Sequence, residues 1–489
     1  MLSRVSIYEL DCFDYPSKIE VFRPSKVYPE YPFKEIAEHE NKVYDAIRES
    51  FIINGFDKEH IGSTEWNPLM DKVKPGDCVL LKPNMVMHTN GCKFGDERSL
   101  YTNPSVVAAL IDYVIIALKG KGEIIVGDAP MQECKFDTLV KESGYGFLID
   151  YYKKKGINIK LVDFRELTSI VENGVHISTL NNEARGKVID IGRESDFFDA
   201  SVKEIANMRI TNYDPQIMPQ HHSKEKHEYY ISEYALKADV IINIPKPKCH
   251  RKAGMTASLK NFVGLNVRKE FLPHHTKGAK NAGGDEYDRK NIIHDIRSKL
   301  LDCKNRATAS NHLLMVQVYR FLIKLCSLVL KVVKANKYDE GSWYGNRTIS
   351  RTISDINRII YYADKQGKLQ EKQQRKFFIV GDMVISGEGE GPVLPKNKEC
   401  GIIVMGDNPI AFDKTVATIM GFDFKKIPAI INAERKREKY IIEDGTPKII
   451  SNSDKYNNMD ISKFDWDKSF KFIATSGWIN HIELKGDQL

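Results

Sequence analysis

Cysteine is sparse and scattered. Eight residues in 489 fall at positions 12, 78, 92, 134, 249, 303, 326 and 400, and no Cys-x-x-Cys pair occurs. That spacing excludes a zinc ribbon and a ferredoxin-type centre, so no iron–sulfur cluster is expected. Isolated thiols fit a reducing cytoplasm. The first residues, MLSRVSIYELDCFDYP, lack an unbroken apolar core and a small-residue cleavage site, so no secretory signal is read. A strong charge of one sign is also missing. Lys and Arg total 73 against 66 Asp and Glu, a net +7, and the basic residues lie scattered among acidic ones. No nucleic-acid partner is expected from that pattern; a small anionic molecule or an anionic membrane surface fits it better. Long low-complexity tracts are absent too, and with 42% hydrophobic and 28% charged residues the chain reads as globular, long enough for two or three domains.

Five segments share one design, an apolar run that stops at a polar cluster: CVLLKPN (78–84), EIIVGDAP (123–130), DVIINIPKPKCH (239–250), KFFIVGD (376–382) and GIIVMGDNP (401–409). Runs without polar alternation suit strands buried on both faces of a parallel sheet. Helical patterns alternate with them. Asn103–Pro104 and Asn408–Pro409 both read as an N-cap followed by proline in the first turn. The expected class is therefore α/β, a mostly parallel sheet flanked by helices. The alternation fails over 270–375, which reads as a largely helical insertion. Around it the expected units are an N-terminal extension (1–70), two parts of the α/β core (71–269 and 376–430), and a C-terminal segment (431–489). The last of these would return to the core partly, through FKFIATSGWINHI (470–482).

Ligands of open parallel sheets bind outside the carboxyl ends of the strands. That rule gathers Lys82 and Asn84, Asp128, the group Lys246, Lys248 and His250, then Asp382 and Asp407. SGEGEGPVLP (386–395) adds Glu388 and Glu390 on a glycine-rich loop, with no P-loop or EF-hand spacing. GMTASLKN reads as a helix capped near Thr256 that carries Lys260 and Asn261. The lysines suit a phosphate or carboxylate, with His250 as acid/base and Lys260 as charge or nucleophile. Asp382 and Asp407 are candidates for a divalent metal, for hydroxyl recognition, or for structural pairing with lysine. Any one polar residue after a strand is ordinarily a turn or cap residue; five such loops together point to a pocket. Arg251 and Lys252 are expected on the solvent side, and the pairs His221–His222 and His274–His275 as loop histidines.

The segment 311–337 is apolar apart from a stripe of Gln317, Arg320, Lys324, Ser327, Lys331 and Lys334. Each interior charge costs about 2.5–3.5 kcal/mol at a bilayer centre, which argues against a span. The alternatives are a helix lying in a membrane interface, a buried core helix, or a contact in a homo-oligomer.

LLKPNMV, YTNPSVVAALIDYV, IIVGDAPMQECKFD, ADVIINIPKPKCHRKAGMTASLKNFVGLN, FLPHHTKG, GDMVISGEGEGPVLP and GDNPIAFDKTVATIMGF span about residues 75–425. In these motifs the sequence resembles the family called domain of unknown function 362. Many of its members carry a fused ferredoxin module, whose cysteines this chain lacks. More distantly, Pro247, His250 and Lys260 are similar in spacing to a strand, proline, histidine and cofactor-anchoring lysine of the nickel-pincer lactate racemases; the other catalytic histidines of that family are not found here. The expectation is an enzyme acting on a small anionic substrate by acid/base or metal-assisted chemistry, with isomerase, racemase or transferase chemistry all open. The competing expectation is a non-catalytic ligand-binding protein, peripheral to a membrane.

Overall fold

A computed structural model describes residues 3–172, 175–333, 338–435, 441 and 445–484, with backbone alone for 170–172 and 175–177. Eight strands make the main path of the central sheet: β1 (Ser3–Glu9), β2 (Cys78–Pro83), β3 (Glu123–Asp128), β4 (Ile159–Asp163), β5 (Val240–Ile244), β6 (Lys376–Glu390), β7 (Leu394–Gly406) and β8 (Pro447–Ser451). Their order is β8-β1-β7-β6-β5-β2-β3-β4. All pair in parallel except β7, which runs against both β6 and β1. β6 and β7 are joined by only three residues, and so short a link permits only an antiparallel pair.

Each central strand feeds two cores because its side chains alternate between faces. Val79 and Leu81 point into one core with Ile124, Val126 and Ile242, whereas Leu80, Ile125 and Ile241 point into the other. The first face is covered by helices α1 (Lys42–Asn54) and α2 (Pro104–Leu118). α2 begins as its sequence predicts, with the Asn103 side chain accepting from Ser105 N and Pro104 in the first turn. Between 270 and 375 lie α3 (Ile292–Ala309), α4 (Leu313–Val332) and α5 (Thr348–Tyr362). α6 (Pro409–Met420) follows β7, with Asn408 as its cap.

Three features differ from expectation. The residues before 71 are no appendage, since β1 lies inside the sheet between β7 and β8. Within the inserted segment α5 belongs to the main core, burying Ile349, Ile353, Ile356, Ile359 and Ile360, while α3 and α4 form an antiparallel hairpin that stands off it. SGEGEGPVLP is not a loop; β6 continues to Glu390 and turns directly into β7. The C-terminal segment places Phe472, Ala474, Trp478 and Ile482 in the core. Residues 334–337, expected to end the amphipathic helix, lie outside the described residues, and Lys334 with them.

Candidate functional site

The carboxyl edge of β2 and β3 is tied by a polar net. Lys82 Nζ sits 2.7 Å from Asp128 Oδ1 and donates to Asn261 Oδ1 at 3.1 Å. Asp128 also accepts from Met85 N (2.6 Å) and Ala129 N (2.8 Å). Asn261 Nδ2 donates to Lys82 O and to Asn243 Oδ1, while Asn84 links Asn261 to Lys248, whose ammonium donates to Asn84 Oδ1 at 2.7 Å and to Leu100 O. Lys82, its ammonium wholly buried, is thus a structural cation. Gly264 closes over this pair; a Cβ there would run into Asp128 Oδ1 and Lys82 Nζ.

Beyond the net opens a cavity of about 620 Å³. Of the residues expected at the site, it is lined by Asn84, Asp128, Lys248, His250, Lys260 and Asn261. Lys252, Lys269 and His274, which sequence reasoning did not assign to the site, line it too. Lys252 was expected to face solvent, yet it is buried and donates to Thr211 Oγ1 at 3.0 Å; Arg251 is the exposed member of the pair. The tight hairpin of Lys248–His250 with Gly254–Thr256 turns Lys252 back under the chain. Lys260 rides on a single helical turn, Ser258–Asn261, which has no cap of its own. The cap expected near Thr256 comes instead from α6, where Asp413 accepts from Ser258 N (2.7 Å) and Leu259 N (3.2 Å).

Four ammonium groups therefore share one cavity. Lys269 donates to Ala129 O at 2.8 Å, and Lys260 has no hydrogen-bond acceptor among the described residues. Among the described residues none of Lys248, Lys252, Lys260 and Lys269 pairs with a carboxylate. Burial pushes Lys252 and Lys260 down to about 8, with Lys82 further depressing Lys260, and pushes Lys269 down to about 7. Burial, and next to it Lys246, holds Lys248 well below the usual lysine range.

The two histidines carry opposite polarity. His250 Nδ1 accepts from Lys252 N (3.1 Å) and Ala253 N (3.2 Å), which puts the proton of the neutral ring on Nε2. His274 donates from Nδ1 to Leu272 O at 2.8 Å, which leaves the Nε2 lone pair free. Burial first, then nearby cations, hold both rings well below the usual imidazole range, Lys260 being the foremost for His250 and Lys252 for His274.

Six expected site residues stay outside the cavity, Lys82 in the net behind it and five others elsewhere. Asp382 was expected at a strand end, but β6 runs eight residues further, so its carboxylate lies mid-strand. There it meets Lys246 Nζ at 3.0 Å, both side chains buried, and Tyr15 OH at 2.6 Å, and accepts from Asn103 N at 2.8 Å. Glu388 accepts from Ile473 N and pairs with Lys398 at 3.2 Å; Glu390 accepts from Ser476 N. Both fasten the C-terminal segment. Asp407 follows the antiparallel β7, so it lies at the opposite edge of the sheet, paired with Lys72 at 3.2 Å. Asp382 and Asp407 thus share no site.

Residues 79–185 and 153–418 match the family described as domain of unknown function (DUF362). The chain belongs to the DUF362 family. In this DUF362 protein the IPKPKCHRKAGMTASLKN motif supplies most of the cavity's cations, and the GDNPIAFDKT motif acts at one remove by capping the Lys260 turn. A thylakoid-associated protein of Synechocystis sp. is 29% identical over 213 residues, 43% of this chain and 46% of that protein. The match thus spans about half the length of that curated relative. Among the described residues no three His, Cys, Asp or Glu side chains converge on a common point. His250 and His274 stand among lysines, a surrounding that disfavours a further cation. This donor set does not fit a divalent metal, and no step is derived through one.

Proposed function

We propose that this protein is an enzyme that binds a small phosphate- or carboxylate-bearing substrate at the carboxyl edge of its sheet and transfers a proton on it. One observation carries the reading: four lysines end in one cavity without a carboxylate partner. Lys248 and Lys252 are buried and Lys260 and Lys269 half-buried, and a buried cation without a counterion is costly, so chains normally pair it or neutralise it. A bound anion would satisfy all four. Asn84, held from behind by Asn261, orients the ligand, and His250 Nε2–H donates to it. The imidazole of His250 cannot accept a proton at Nδ1 without losing two backbone bonds, so the base falls to His274, whose Nε2 lone pair is free. Lys248, Lys252, Lys260 and Lys269 hold the anionic group.

A second component concerns location. α4 presents a wide apolar face beside Arg320, Lys324 and Lys331, and is long and apolar enough to cross a membrane by length and composition. Those interior cations favour a helix lying on the surface over one crossing it. The thylakoid association of the Synechocystis relative supports a membrane-peripheral protein.

Native mass spectrometry of the purified protein tests the first part. A co-purified anion is expected in the wild type and should be missing from the Lys260→Met, Lys269→Met double variant. An adduct retained in that variant would refute the reading.

A further inference from the structure

The outward stripe of α4 is Leu314, Val318, Phe321, Leu325, Leu328 and Val332, each 42–78% exposed. Their spacing of four and three residues keeps them on one face. The opposite face, with Val316 and Leu330 buried, packs on α3, whose own outer side exposes Ile292 and Ile296. A patch of this size on a soluble surface marks a binding surface.

Charge decides what covers it. α4 contains no Asp or Glu, and one border of the stripe is a row of Arg320, Lys324 and Lys331. The acids of α3 are engaged, Asp302 with Arg209 and Lys277, and Asp295 with Tyr287. A second copy would bring two cationic borders together without carboxylates to match them. An anionic lipid surface complements the row and takes up the stripe.

The cavity opens against this same hairpin. Its floor at the sheet edge is buried, at His250, Lys252, Thr256 and Asn261. Its exposed lining residues include Asn212, Ala309 and Asn311, and Lys304 of α3 donates to Asn212 Oδ1. Asn305, Thr308, Ala309 and Asn311 line it where α3 ends and turns toward Leu313 and Leu314. A molecule seated on the lysines and projecting past this rim would emerge beside the apolar stripe.

We propose that the substrate is a membrane amphiphile: its anionic head group enters the lysine-lined cavity, and its acyl or isoprenoid chain leaves over the Asn305–Asn311 rim toward the bilayer on which α4 rests. This rests on the anion-binding reading above and adds the source and the class of the anion. The test pairs calorimetry with flotation. The wild type is titrated with glycerol 3-phosphate and with dihexanoyl phosphatidic acid below its micelle concentration. The lipid should bind more than about tenfold tighter, as burial of two or more methylenes requires, and Lys260→Met should weaken both ligands. Equal affinities would overturn this inference and leave the anion-binding reading standing. Binding of neither ligand would overturn both. A lipid whose affinity ignores Lys260→Met sits outside the cavity and also overturns it. The wild type should float with phosphatidylcholine vesicles containing phosphatidylglycerol, and the Phe321→Glu, Leu325→Glu variant should not. Unchanged flotation, or a solution dimer that the variant splits, would assign the stripe to something other than lipid and refute the proposal.

Discussion

Lys260 lines a cavity with no acceptor for its ammonium among the described residues, and that unmatched charge makes opposite demands on stability and on binding. Replacing it with the near-isosteric, neutral methionine removes a desolvated cation. Lys260→Met is therefore expected to raise the stability of the ligand-free protein by about 1–2 kcal/mol, read as a higher melting temperature. The same change should cost phosphate affinity roughly tenfold to a hundredfold, the worth of a charged hydrogen bond. Gly264 makes the converse case, a residue needed for what it lacks. Gly264→Ala would push Asp128 off Lys82 and is expected to destabilise by about 1–3 kcal/mol, measured by denaturant unfolding. The lysines also fix a pH dependence. In the free protein Lys252, Lys260 and Lys269 are depressed to about 8, 8 and 7 by burial, and a bound anion raises all three. Binding between pH 7 and 9 should thus take up protons, and affinity should fall as pH rises through that window. Calorimetry in buffers of different ionisation enthalpy measures the uptake; proton release on binding would contradict it.

At the scale of elements, the turn that carries Lys260 is built by a distant helix. Ser258–Asn261 is too short to hold itself, and Asp413 of α6 supplies both acceptors for its first N–H groups. Asp413→Ala should cost about 1–3 kcal/mol by leaving two buried donors unpaired and should weaken phosphate binding, whereas Asp413→Asn, which keeps one acceptor oxygen and sets an NH2 against the second donor, should recover only part of both. Nothing local in GMTASLKN announces that dependence, because the cap lies more than 150 residues away. Other elements were readable from neighbours alone. Asn103–Pro104 and Asn408–Pro409 start α2 and α6 because cap chemistry involves adjacent residues. The buried strands declared themselves through unbroken apolar runs, but such a run carries no direction. β7 looked like its parallel neighbours until the short turn at Gly391–Val393 forced it to run back, and Asp407 went with it to the far edge.

Across the whole molecule, the cavity joins residues from 84 to 393. The motif 244–261 reads as one wall of a pocket only beside four other strand ends, and Lys248, His250, Lys260 and Asn261 line the cavity. Lys246 and Asp382 were drawn in by the same rule and turn out to satisfy one another in the interior. Lys252, Lys269 and His274 escaped notice because only the crossing of separate segments buries them; the weak signal available was FLPHHTKG, whose two histidines point to different surroundings. The α3–α4 hairpin and the lysine-bearing motif are likewise separate in sequence and share a border only in the fold. Everything proposed about function depends on the cavity holding an anion through otherwise unpaired lysines. The most direct measurement is calorimetric titration of the full chain with inorganic phosphate at pH 7 and pH 9, in the wild type and in Lys260→Met. The expected result is binding at pH 7 that weakens at pH 9 and falls at least about tenfold in the variant; no binding, or binding indifferent to both pH and Lys260, would contradict it.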